Sequence, residues 1–238
     1  MQTIFQSPLF RLAALGVCAI ILTGCATGTP TIDTSAEAEA TFDGLYPVKG
    51  GRMDAAWARP DFSVEPYSKI MLQGVGIEYR PGGETRRSSI SSTRADHYAI
   101  SEKGKALFQA EMREAFFEEL AAGEHFEIVD EPGPDVLLIR GGLLDVISFV
   151  PPEPIGNVDV YLSQVGEATL VLEMRDSVTD AILIRAVDRR AAESTAFGFS
   201  HSNRVSNMSE FRRVARAWGS ILREGLDRFM APDDEAGE

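Results

Sequence analysis

Phe211, Val214, Ala215, Trp218, Ile221, Leu222, Gly225, Leu226 and Phe229 recur at three- and four-residue spacing, an unbroken apolar stripe at helical period. A helix with such a face must bury it on a second layer, so any fold open to this chain has a helix packed on something. Asn207, three residues before Glu210, resembles a capping box and predicts the helix start there. Upstream, residues 69–79 carry apolar side chains on both parities and predict a first, central strand buried on both faces. Pro81 to Gly83 ends it, and residues 88–96 read as a long polar loop. Ser101 caps a predicted helix running to about Ala122, with Phe108, Met112, Ala115, Phe116 and Leu120 on one face and Gly123 as its stop.

A short strand over residues 126–129 precedes residues 136–150, where Gly141 and Gly142 predict a bulge or sharp bend. Ala168, Leu170, Leu172 and Met174 alternate with Thr169, Val171, Glu173 and Arg175, residues 176–180 carry turn chemistry, and residues 181–191 return. In the return strand Ile182, Ile184 and Ala186 take one side and Leu183, Arg185, Val187 and Arg189 the other, which predicts a partly wet outer face. The order is β-α-β-β-β-α, an α+β layer domain with a mainly antiparallel sheet and two helices packed on one face. Residues 42–57 hold apolar residues without clear periodicity and read as an irregular lead-in.

At the other end of the chain, Arg11 precedes eleven uncharged residues, 12–22, followed by Thr23, Gly24 and Cys25. A spanning helix needs about 20 apolar residues, so the run suits a signal-peptide core better than a membrane span. Residues 22–25 resemble the lipobox of bacterial lipoproteins. That resemblance implies cleavage between Gly24 and Cys25, lipidation of Cys25, and, with Ala26 beside it, sorting to the outer membrane facing the periplasm. Several acyl chains exceed the marginal hold of one and give stable anchoring. Cys18 would leave with the signal peptide and Cys25 would be acylated, so no disulfide, zinc thiolate or cysteine nucleophile is expected. The expected organisation is a signal peptide over 1–24, lipidated cysteine and flexible tether over 25–44, a periplasmic α+β domain over 45–231 and an acidic disordered tail over 232–238. Residues 26–40, with Ile32 the one large apolar side chain, suit a coil of about 20 Å reach.

Residues 57–60 and 67–70, the stretch 135–145 and the stretch 173–180, taken with the lipobox, resemble the uncharacterised bacterial lipoproteins grouped as domain of unknown function 3313, over most of residues 45–230. The resemblance implies an envelope lipoprotein and carries no reaction and no catalytic residues. Asp180 stands where Gly is commoner in that hairpin, which leaves the turn type open. The strand order is also similar to envelope lipoproteins that regulate peptidoglycan synthesis or assemble secretion pores, an analogy of fold alone.

With 36 acidic against 23 basic residues and a net charge of -13, the chain lacks the basic clustering that phosphate binding requires. His97, His125 and His201 each stand alone, without the helical spacing of a metal half-site, so no metal and no cofactor are expected. Ser200, His201 and Ser202 with Asp188 could be arranged as a hydrolase triad, but no Gly-x-Ser-x-Gly elbow is present. Gly74 and Gly76 lie in a predicted strand and fail as a dinucleotide fingerprint.

Two charged stripes stand out. Glu111, Glu114 and Glu118 share a face of the first helix, and Arg213, Arg216 and Arg223 share the face of the last helix outside its apolar stripe. They either form a solvated, mildly paired surface or leave the arginines to dock an acidic partner. Phe149, Val150 and Ile155 flank a proline-rich segment that serves as a partner-recognition loop or a lid on the sheet edge, and Phe197 and Phe199 admit the same two readings. The expected function is a non-enzymatic, outer-membrane-anchored binding or adaptor module for another envelope component, a protein or a peptidoglycan-associated partner. The alternatives are a carrier of lipid or a small apolar ligand, which requires an internal pocket, and a periplasmic hydrolase, which requires Asp96, His97, Asp188 and His201 to converge.

Overall fold

The computed structural model describes residues 30–63, 66–81, 97–151, 161–193, 200–201 and 204–230. In chain order the elements are β1 (Thr31–Ile32), β2 (Tyr46–Lys49), β3 (Ala55–Ala58), β4 (Lys69–Tyr79), α1 (Glu102–Leu120), β5 (Glu127–Ile128), β6 (Val136–Ser148), β7 (Tyr161–Leu162), β8 (Gln164–Asp176), β9 (Ile182–Glu193), β10 (Ser200–His201) and α2 (Arg204–Met230). Eight strands form one sheet in the order β1-β2-β3-β9-β8-β6-β4-β5, and β7 and β10 make a separate two-stranded pair. The β4–β5 and β4–β6 pairs are parallel and the remaining pairs antiparallel. Both helices bury their apolar faces on the same side of the sheet, giving the α+β layer that the element pattern predicts.

Trp218, Leu222, Leu226 and Phe211 of α2 meet Leu170, Leu172 and Ala192 of the β8–β9 hairpin, while Phe108 and Met112 of α1 share the same core. Phe108 stands edge-on to Tyr79 (6.1 Å between ring centroids) and to Phe211 (4.9 Å), tying β4, α1 and α2 through one aromatic run. The helices cross where Gly219 faces α1: a Cβ there would lie 2.7 Å from the Glu119 Cβ and 3.1 Å from the Phe116 carbonyl oxygen. Ser101 caps α1 as its sequence predicts, accepting from the Gly104 N–H at 3.2 Å. In the hairpin turn the Asp176 carboxylate accepts from the Val178 and Thr179 N–H groups, and Asp180 takes φ 60°, the left-handed conformation that the commoner Gly would adopt there.

Several expectations are corrected. β4 is neither central nor buried on both faces: it lies next to the two-residue edge strand β5, and residues 73–76 are exposed. Its apolar residues occupy both parities because the register slips between Gly74 and Gly76. The extra residue, Val75, moves the core-facing set from Ile70 and Leu72 to Ile77 and Tyr79. The bend expected at Gly141 and Gly142 is therefore carried by the partner strand, and β6 runs straight through them. A second bulge does fall in β6, at Asp145, where φ is 54°. The lead-in is strand rather than irregular chain, since β2 and β3 extend the sheet beyond β9. Within the expected tether, Thr31 and Ile32 pair with Lys49 and Val48. α2 starts at Arg204, so Asn207 lies inside the helix and is buried, not at its cap. Gly123 follows the end of α1 by three residues and is set against the Phe126 ring, which a Cβ would strike.

Candidate functional site

β9 carries the chemistry of the domain on its two faces. On the covered face Asp188 is buried, and its carboxylate accepts from the Trp218 Nε1–H at 2.7 Å, the Arg190 Nε–H at 2.6 Å and the backbone N–H of Asp54 at 3.0 Å. Three donors on one buried carboxylate satisfy it fully and bind β9, α2 and the start of β3 together.

On the open face Arg189 donates to Asp145 at 2.8 Å and pairs with Glu167, while Arg80, just after β4, reaches Asp145 through its Nε at 2.6 Å. Arg189 first, then Arg80, hold the Asp145 carboxyl below its ordinary value against an opposing effect of burial. Burial raises Glu167, but Arg189 and Gln164 outweigh it and the net direction is down. Further along the same face Glu173 accepts from Arg175 and Arg185, and Arg185 also pairs with Asp43 at 2.7 Å. The bulge makes the first network possible, because it turns Asp145 outward beside Leu144 rather than into the core.

Where β9 outruns β3, Arg189, Arg190, Ala191, Glu193, Arg213, Val214 and Ala217 line a surface depression of about 520 Å³. Arg213 projects from α2 across its mouth, donating to the Glu193 carbonyl and pairing with the buried Glu210. A second depression of about 380 Å³ lies among the loop residues Asp130 to Asp135 with Lys69, whose ammonium pairs with Asp135 at 2.8 Å.

The other anticipated residues are dispersed. Arg216 pairs with Glu118 of α1 at 3.2 Å, and Arg223 lies 3.6 Å from Asp227 on its own helix. The two stripes do meet, but the second contact is made by Arg212 with Glu111, a residue that the spacing argument passed over. Asp227 accepts from the Glu124 and His125 N–H groups and so secures the loop after α1. Phe149 is half-buried, its N–H donating to the Val165 carbonyl at 3.0 Å. His97 Nε2 lies 3.0 Å from the Pro81 carbonyl oxygen, whereas Asp188 sits under α2 and His201 lies in β10, opposite Tyr161. Gly24, Cys25, Asp96, Ile155, Phe197, Phe199 and Ser202 lie outside the described residues. Among the described residues no group of three His, Cys, Asp or Glu is placed to hold a metal ion, and no helix is long and apolar enough to cross a membrane. Arg189, Arg190 and Asp54 were missed. The alternation in residues 181–191 did carry the signal for Arg189, whose side faces outward, but nothing local reveals that β3 stops short of it.

Comparison with known proteins returned no match among curated proteins. Among solved structures the chain is similar to the PelC dodecamer from Paraburkholderia phytofirmans, with 12% identity over 75% of this chain and 96% of that one at a TM-score of 0.33. It is also similar to protein XCC0632 from Xanthomonas campestris, with 8% identity over 72% and 90% at a TM-score of 0.37. A family model described as "Protein of unknown function (DUF3313)" matches residues 34–222, which span most of the chain and every element from β2 to the middle of α2, so the protein belongs to that family.

Proposed function

We propose that the protein is a lipid-anchored module of the bacterial outer membrane, held through Cys25, whose domain binds another envelope component without transforming it. The observation that carries this reading is the depression between the end of β9 and α2, where Arg213 stands exposed at the mouth of a groove left open by β3. A groove with a few convergent polar groups on a rigid two-layer frame suits recognition. The carrier reading is less favoured: Trp218, Leu137, Ile139, Val146 and Leu226 are fully buried in the layer where an apolar ligand would have to sit. For hydrolysis, Asp188 would have to be released from its three donors.

In-cell crosslinking and pull-down of the anchored protein, read by mass spectrometry, tests the proposal. A reproducible envelope partner, lost from the Arg213→Glu variant while the fold persists, is expected. An unchanged partner set in that variant, or no partner from the wild type, overturns the binding site or the binding role respectively.

A further inference from the structure

We infer that the groove beside β9 is a strand-addition site for an extended segment of a partner protein whose side chains alternate between acidic and small apolar; this rests on the binding role proposed above. The backbone of β9 sets the case. The Arg189 N–H points toward the β3 side of the strand, where the Asp54 carboxylate accepts it at 2.8 Å. Strand alternation sends the backbone groups of Ala191 and Glu193 the same way, while residues between them face β8, to which β9 stays paired as far as Glu193 opposite Gln164. On the other side the last β3 pair is Ala55 with Val187. Among the described residues β9 is thus an edge strand from Arg189 onward, and edge N–H and C=O groups are a template for another chain.

Side chains already stand in for the missing strand. Asp54 supplies the acceptor at Arg189, and Arg213 supplies the donor at the Glu193 carbonyl. Between them, both backbone groups of Ala191 face the groove, and an incoming strand would pair with them first. It would then take the Glu193 carbonyl and free Arg213 for a side chain of the segment.

Charge and size select that segment. Despite the acidic chain as a whole, the α2 side of the groove shows cations outward: the Arg190 and Arg213 side chains are 33% and 45% exposed, whereas their partners Asp188 and Glu210 are 4% and 7% exposed, and an exposed Glu193 closes the far end. The Arg189 guanidinium lies on the opposite face of the strand, drawn back over β8 to Asp145 and Glu167, and adds nothing to this charge. Segment side chains on the α2 side meet the Arg190 and Arg213 cations, whereas those on the other side lie beside the short Ala191 side chain, which leaves room for small apolar residues.

The test is panning of a phage-displayed library of random octapeptides on the full-length protein in detergent micelles, followed by anisotropy titration of the enriched peptides. Alternating acidic and small apolar residues are expected among them, with binding at least 10-fold weaker to Arg213→Ala. Methylating every second backbone nitrogen of such a peptide, which leaves its charges intact, should weaken binding at least 10-fold in one of the two phases. Ala191→Pro, which removes an edge-facing N–H and no bond to β8, should do the same, with circular dichroism verifying the fold. Binding indifferent to methylation in both phases, or no enriched peptide, overturns strand addition. A pull-down partner that survives Ala191→Pro but not Arg213→Glu would leave the binding role standing and remove this mode alone.

Discussion

The indole of Trp218 and the carboxylate of Asp188 are bonded at 2.7 Å in the buried layer between α2 and β9. Each needs the other: an indole N–H without an acceptor and a carboxylate without donors are both costly away from water. Trp218→Phe, which keeps an aromatic ring and removes the donor, should destabilise the domain by about 2 kcal/mol. Asp188→Leu strands the Trp218, Arg190 and Asp54 donors together and should cost about 3–5 kcal/mol. Urea unfolding followed by tryptophan fluorescence measures both, and equal stability of Asp188→Leu and wild type would show that the carboxylate is not what joins the layers.

Acid should loosen the open face before the core. Asp145 and Glu167 titrate below their ordinary values in the folded chain, so protons bind the unfolded chain more readily. Their contribution is complete above the ordinary values of 3.8 and 4.5 and is lost as pH falls through the lower folded ones. The urea midpoint should therefore decline below about pH 4.5, and less steeply in an Asp145→Asn, Glu167→Gln double variant. Because the arginines are well exposed, the loss at neutral pH should stay below about 1 kcal/mol for each pair and shrink in high salt.

Gly219 is where the helices touch. Gly219→Val places side-chain atoms against the Phe116 carbonyl and the Glu119 Cβ, and the Phe116 backbone cannot move aside without shifting α1. A cost of about 1–3 kcal/mol is expected, read as a lowered thermal midpoint.

The proposed anchor would depend on the Cys25 side chain. Cys25→Ala should move the protein from the membrane fraction to the soluble periplasmic fraction, or leave it as an unprocessed precursor that is longer by the signal peptide, with no acyl mass on the chain in either case. Retention of an acylated, membrane-bound product would refute the lipobox reading.

Where a periodic pattern persisted over many residues, the fold could be read from the sequence. The α2 stripe, the β8–β9 alternation and the Ser101 cap each repeat or position a signal that one local rule explains. β2 and β3 have four residues each, too few for alternation to register, and Pro47 argues against the first of them. β4 misled for a physical reason: one extra residue at Val75 exchanges the two faces of the strand, and the result imitates a strand buried on both. Arg213 was legible as an exposed cation on α2. The groove was not, because it exists only where β3 ends beside β9, a fact of pairing between segments far apart in the chain.

That pairing has a kinetic side. Ala55 meets Val187 only after everything between them has been synthesised, and loop closure over such a span is slow. β1, β2 and β3 can pair among themselves, but the hairpin that receives them is among the last parts of the chain to be made. A chain delivered N-terminus first therefore carries an orphan three-stranded ribbon until the C-terminal third arrives. Truncation before β9 would leave that ribbon without the strand it pairs with, exposed to any other strand it meets.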